Sequence, residues 1–361
     1  MDEEEKELTG FGDNEDILPF INRESVVTYS SAVDLVISTA CRNDCGYCAF
    51  KREQDNLVVP YSTIKVFKKA RKMGVREANL VSGERPDSYT SVRAKFDIWG
   101  FNSFSEYLYT LAELAFLEGL LVNLNVGYLS FNELKYLREI IASVELMVET
   151  TNVAMLEGIQ HKFSPSKSPD VRFKFLEYAG KLNIPTNTGM IVGIGETPED
   201  RLKTISRVRE LHDEYRSIQN FKISPFISDP RSKMKDVQDC SEELVLETVR
   251  IAREILPSDI DISVPVNVCT NINRFVQAGV TDFGQIRLCG PDSLFPKKRF
   301  ENVEFYEKEL DSIGYSLAKR LPIKNSFVTS QKYSKKLGQF LDKYKLRLKE
   351  IQAEDEFVLA M

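Results

Sequence analysis

From about Ser31 to residue 294 the chain alternates between short apolar runs rich in β-branched residues and longer amphipathic stretches. A short apolar run reads as a buried strand, and the amphipathic stretch after it reads as a helix covering one face of the sheet. The alternation therefore predicts an α/β fold of repeated βα units on a parallel sheet. Strands are expected at 33–38, 77–82, 121–126, 144–149, 186–192, 221–224 and 261–264, with a further late strand before Cys289. Ser168 with Pro169 and Thr197 with Pro198 are helix openings, and Gly74 closes the helix that begins near Ser62. No Gly-x-Gly-x-x-Gly follows the first strand. Six or seven such units in about 230 residues therefore fit a partial or closed (βα) barrel of the TIM type better than a doubly wound sheet, which places chemistry on the loops after the strand C-termini. After residue 294 the alternation gives way to Lys- and Glu-rich sequence with helical spacing at Leu337, Phe340, Leu341 and Tyr344. Three parts are expected: an acidic N-terminal segment (1–26), the barrel (27–294), and a helical C-terminal extension (295–361) whose charge is a solvated face.

The balance of 48 Lys+Arg against 54 Asp+Glu gives a net charge of -6, which excludes a generic nucleic-acid binder. Residues 1–16 are acidic and lack the apolar core of a secretory signal, and no run of about 18 apolar residues occurs, so a cytoplasmic location without a membrane span is expected. Only 6 Cys and 2 His are present, so their placement matters more than their number. Cys240, Cys269 and Cys289 are scattered and read as packing thiols, whereas Cys41, Cys45 and Cys48 crowd together. Without a secretory signal, such crowding reads as metal ligation or redox chemistry.

The crowded segment is Cys-x3-Cys-x2-Cys, with Tyr47 immediately before the third cysteine, and it follows the first strand. Three thiolates on one short loop can ligate three irons of a [4Fe–4S] cluster and leave the fourth iron open. The alternatives are a zinc loop, for which His161 is a conceivable fourth ligand, or three buried thiols.

The cysteine triplet in this position resembles the radical S-adenosylmethionine (SAM) superfamily. Ser82-Gly83-Glu84-Arg85-Pro86 resembles the superfamily's Gly-Gly-Glu element, Glu149-Thr150-Thr151 follows the fourth strand, and residues 189–196 fit Gly-x-Ile-x-Gly-x-x-Glu. The resemblance implies that Cys41, Cys45 and Cys48 hold a [4Fe–4S] cluster. It also implies that Gly83, Glu84, Glu149, Gly193 and Glu196 bind SAM, whose reductive cleavage yields a 5′-deoxyadenosyl radical. Further stretches between residues 27 and 220, among them Val148-Glu149-Thr150-Thr151 and the segments 161–169 and 179–189, are similar to the 7,8-didemethyl-8-hydroxy-5-deazariboflavin synthase family. That family implies a carbon–nitrogen lyase that closes a deazaflavin ring with loss of ammonia. Its small-molecule substrate would be a tyrosine-derived hydroxybenzyl adduct of a ribitylamino-uracil, supplied by a companion radical SAM subunit, with ferredoxin or flavodoxin as electron donor. The pattern departs from the family at 217–226 and 283–292, which leaves open a paralogue acting on another small molecule. A non-catalytic iron–sulfur or zinc protein is the alternative of a different class.

Among the remaining residues, His161 is a candidate acid or base, while His212 reads as a surface or helix-end residue. Trp99, Phe96, Phe101 and Phe104 read as helix cover. Asn123 and Asn125 share one strand face and are candidates for contacts to a uracil or ribityl group.

Overall fold

The computed structural model describes residues 25–52, 57–290, 292–295 and 297–359, so nearly all of the acidic N-terminal segment lies outside the described residues. In chain order the main elements are β1 (Val26–Ser38), α1 (Pro60–Lys72), β2 (Glu77–Ser82), α2 (Thr90–Trp99), α3 (Phe104–Leu117), β3 (Leu121–Asn125), α4 (Phe131–Leu137) and β4 (Ser143–Glu145). There follow α5 (Pro169–Lys181), β5 (Thr186–Val192), α6 (Pro198–Tyr215), β6 (Ile218–Pro225), α7 (Glu242–Ile255), β7 (Asp261–Ser263), α8 (Ile272–Ala278) and β8 (Asp282–Arg287). The chain continues through α9 (Val303–Asp311), β9 (Ser316–Arg320), α10 (Asn325–Thr329) and α11 (Lys335–Leu359). Strands β1 to β8 pair in parallel and in sequence order, and the pairing of β1 with both β2 and β8 closes the barrel. No described helix is long and apolar enough to cross a membrane.

Strand alternation divides β1 into two faces. Val27, Tyr29, Val33 and Leu35 pack outward into the core beneath the helices. Thr28, Ser30 and Asp34 instead hydrogen-bond across the barrel interior, Thr28 to Asp282, Ser30 to Glu77, and Asp34 to Asn79 at 2.8 Å. The other strands repeat this division. Asn123 donates to Asn79 at 2.9 Å and accepts from Ser143 at 2.7 Å, while Ser263 donates to Asn220 at 2.6 Å. The interior is thus filled by a hydrogen-bonded polar lattice where branched aliphatic layers are the usual filling. For this reason β1 begins well before the expected residue 33, since Thr28, Ser30 and Ser31 interrupt the apolar run that marks a buried strand.

The C-terminal segment holds helices, with Leu337, Phe340, Leu341 and Tyr344 buried along α11, but it is not helical throughout. Strand β9 runs parallel to the first half of β1, Val26 opposite Ser316 through Ser30 opposite Arg320, alongside the part of β1 that precedes its pairing with β2. With a single leucine in Ser-Leu-Ala-Lys-Arg, this strand carries no apolar run to announce it. Its last residue closes the N-terminal end of the barrel: Arg320 grips Asp282 through Nε at 2.6 Å and Nη2 at 2.8 Å. Burial pushes the Asp282 carboxyl up, but the Arg320 guanidinium and its hydrogen bonds outweigh this and hold it below its ordinary range. Lys324 adds an ion pair to Asp261 at 2.9 Å, and Gln219 donates to the Pro322 carbonyl at 2.9 Å. Removing one partner of a buried ion pair leaves an uncompensated charge, so Arg320→Met is expected to lower unfolding stability by about 3–5 kcal/mol in a denaturant titration.

Candidate active site

The Cys41–Cys48 loop leaves the C-terminal end of β1 and is held on both sides. On one side Arg42 N donates to Glu84 O at 2.9 Å, Gly83 N donates to Ser38 O at 2.8 Å, and the Tyr89 hydroxyl donates to Cys41 O at 2.9 Å. A side chain at Gly83 would place its Cβ 2.2 Å from the Ala40 carbonyl oxygen, so only glycine lets the two loops approach so closely. On the other side Gly46 N donates to Gln160 O at 2.9 Å, Asp44 N to Ser164 Oγ at 2.9 Å, and Ser166 Oγ to Asn43 Oδ1 at 2.8 Å. All three cysteines line a cavity of about 410 Å³ at this end of the barrel.

Burial pushes the Cys41 and Cys48 thiols up, and the charge of the neighbouring cysteines adds to this. A cationic iron centre reverses that penalty, and soft sulfur donors suit it. Among the described residues no group of three or more His, Cys, Asp or Glu side chains is arranged to hold a single metal ion.

Beside the thiols, Glu84 is 4% exposed. Its Oε2 accepts from Tyr128 N at 3.1 Å and faces Arg172 at 3.4 Å, while Oε1 is buried without a hydrogen-bond partner and lies 3.7 Å from Arg42 Nε. Burial pushes this carboxyl up, but Arg172 and the hydrogen bonds outweigh it and hold it below its ordinary range. An ionised carboxylate with one oxygen that accepts no hydrogen bond suits an ammonium ligand. Glu149 lies nearby at a positive φ of 68°, with Oε1 accepting from Lys167 Nζ at 2.5 Å and Oε2 unpartnered. Arg172 carries an unpartnered Nε of its own, so the wall offers cations as well as anions. These groups fit a zwitterionic amino-acid moiety such as that of SAM.

Gly83, Glu84 and Glu149 therefore line the cavity with the cysteines, but Gly193 and Glu196 do not. The Glu196 carboxylate turns back to accept from Gly193 N at 2.9 Å and Ile194 N at 3.0 Å, and it pairs with Arg201 at 3.5 Å. It shapes the loop after β5 and presents no free oxygen to a ligand.

His161 also departs from expectation. It is buried behind Tyr47, its Nε2 lying 3.3 Å from the tyrosine hydroxyl, and it is not part of the cavity wall. Burial, with Lys167 adding to it, pushes its pKa down to about 4. Because the folded state holds this imidazole neutral and the unfolded chain does not, its contribution is full above about pH 6.5 and is lost as pH falls toward 4, by about 3 kcal/mol in total. In cluster-free protein, His161→Gln is expected to flatten the decline in stability across that window, measured as the denaturant midpoint against pH. Turnover should change less than about tenfold, as suits a positioning residue.

His212 lies in the last turn of α6, as expected of a helix-end residue, but it is buried rather than at the surface and lies 3.1 Å from Asp259. Cys240, Cys269 and Cys289 are partly buried against the core, and the aromatic group around Phe96 packs with Tyr107. Asn123 is taken up by the interior lattice, whereas Asn125 reaches the cavity. Arg172, Lys167, Glu145 and Lys222 also line the cavity and were not singled out by the sequence reading. An ionisable residue at an inward strand position was the available signal for Glu145 and Lys222, whereas Arg172 on a helix turn carried none.

Residues 35–208 match the radical SAM superfamily. The chain is 32% identical over 325 residues to a 7,8-didemethyl-8-hydroxy-5-deazariboflavin synthase of Methanococcus maripaludis, covering 89% of this chain and 92% of that one. It is 35% identical over 320 residues to the enzyme of the same name from Archaeoglobus fulgidus, covering 88% and 97%. Spans of this length run well past residue 220, so the likeness extends into the last third. Among solved structures, a HydG maturase of the [FeFe]-hydrogenase superposes with a TM-score of 0.68 at 14% identity, covering 89% of this chain and 70% of that one. Methylornithine synthase (PylB) gives 0.61 at 16% identity, covering 81% and 84%.

Proposed function

The chain belongs to the 7,8-didemethyl-8-hydroxy-5-deazariboflavin synthase family of radical SAM enzymes, and from that premise we propose that it closes the deazaflavin ring by radical cyclisation with loss of ammonia. Its cofactors are a [4Fe–4S] cluster and SAM. When bound, they supply a reductively generated carbon radical that abstracts hydrogen.

The remaining work falls to the chain's own residues. Cys41, Cys45 and Cys48 hold the cluster; Glu84 takes the SAM ammonium, while Arg172 and Lys167 face its carboxylate. The closed barrel keeps water away from the reacting carbons. The observation that carries the reading is that one cavity joins three thiols and the Glu84 carboxylate to a polar floor formed by Asn125, Glu145 and Lys222. The substrate would be the tyrosine-derived hydroxybenzyl adduct of a ribitylamino-uracil, delivered by a companion radical SAM enzyme in the cytoplasm, with ferredoxin or flavodoxin as reductant. Carbon–nitrogen cleavage makes the reaction a lyase step.

Anaerobic reconstitution followed by SAM, reductant and the adduct is expected to yield a fluorescent deazaflavin and one equivalent of ammonia. SAM turnover without that product would defeat the substrate assignment.

A further inference from the structure

The floor of the cavity is built from inward positions on three strands of the barrel: Asn125 at the end of β3, Glu145 at the end of β4 and Lys222 on β6. Lys222 Nζ donates to Glu145 Oε1 at 2.8 Å, and Asn125 Nδ2 donates to the same oxygen at 3.3 Å. Both donors converge on Oε1, so no hydrogen bond among the described residues uses Oε2. The ammonium and the side-chain amide each keep N–H groups beyond the one given to Glu145. All three side chains border the cavity, and the Glu145 side chain is only 3% exposed.

Other inward polar residues of the barrel, Asp34 and Asn123 among them, are committed elsewhere. Asp34 is held by Arg287 at 3.1 Å, Asn79 at 2.8 Å and Ser293 N at 3.1 Å, and Asn123 by its neighbours in the lattice. The floor therefore offers a ligand a donor, an acceptor and a donor side by side. The complement of that row is acceptor, donor, acceptor, which is the edge of a cyclic imide in which an N–H stands between two carbonyls.

We infer that Lys222, Glu145 and Asn125 bind the imide edge of a pyrimidinedione, Glu145 accepting from the ring N3–H while Lys222 and Asn125 donate to the flanking carbonyls. The inference rests on the deazaflavin reading above, because it concerns the uracil half of that substrate. It assigns the floor to anchoring the heterocycle, so that the rest of the substrate points toward the cluster end of the cavity. A site built to hydrogen-bond a substrate N–H rejects an analogue that lacks it, because its own buried groups are then left unmatched.

The test uses holoenzyme with SAM under anaerobic conditions and measures, by calorimetry, the affinity for the hydroxybenzyl adduct and for its N3-methyl derivative. Wild-type protein is expected to bind the parent roughly 100-fold more tightly. The double variant Glu145→Leu with Lys222→Met removes both charges together, which avoids leaving one buried alone. It should bind the two ligands alike, with the cluster absorbance confirming an intact fold. Equal binding of both ligands by the wild type, or a preference that survives in the double variant, would overturn the inference and leave the deazaflavin reading standing. Failure of the wild type to bind the adduct at all would overturn both. The wild-type comparison needs no variant, so the inference stays testable even if the double variant does not fold.

Discussion

Cys45→Ala is expected to give a folded, colourless protein whose iron content falls from about four per chain to near zero and whose deazaflavin formation is lost. The loop that carries Cys45 is held by backbone and neighbouring side chains: Gly46 N to Gln160 O, Asp44 N to Ser164 Oγ, and Asn43 Oδ1 from Ser166 Oγ. None of these bonds passes through a thiol, and Cys45 itself is only half-buried. Deleting its sulfur from the cluster-free protein should therefore change stability by less than about 1 kcal/mol. Two thiolates cannot hold a cubane that requires three, so ligation fails while the barrel stands. If the cysteines were only a structural staple, the same substitution would unfold the barrel. Circular dichroism, an iron assay and product fluorescence on one preparation separate the two outcomes.

The parts of this protein that the sequence displays are those built from neighbouring residues. Strands β2 and β5 stand where the apolar runs place them because their outward residues pack under helices. The first half of β1 and all of β9 were hidden, because polar side chains rather than an apolar run hold them to distant parts of the chain, as Thr28 and Arg320 both meet Asp282. The same division runs through the site. Cys41, Cys45, Cys48, Gly83 and Glu84 could be singled out because each loop's pattern is local, and the structure brings them to one cavity. Arg172, Lys167, Glu145 and Lys222 acquire meaning only when closure of the barrel sets them around one cavity. Glu196 was legible for the wrong reason: a glycine-rich strand end followed by a carboxylate suits a ligand contact, and it equally suits a carboxylate that caps its own loop.

Glu84→Gln is expected to weaken SAM binding by about 10- to 100-fold while leaving the cluster assembled. In the wild type, Oε1 is buried and accepts no hydrogen bond, its nearest cation being Arg42 Nε at 3.7 Å, and the carboxylate is kept ionised beside Arg172. An ammonium placed against that oxygen gains a charge-assisted hydrogen bond, whose contribution of about 1.5–3 kcal/mol corresponds to the stated loss of affinity. Glutamine keeps the shape and the bond from Tyr128 N but presents a neutral group, so the change isolates charge from packing. The substitution also leaves the Arg172 guanidinium, 3% exposed, without its anion at 3.4 Å. A fall in unfolding stability of a few kcal/mol should therefore accompany the loss of affinity. Adding Arg172→Met to Glu84→Gln should restore much of that stability and none of the SAM affinity. Calorimetric titration of SAM alongside denaturant unfolding separates the two effects. Unchanged SAM affinity in Glu84→Gln would remove Glu84 from the cofactor site, whatever happened to stability.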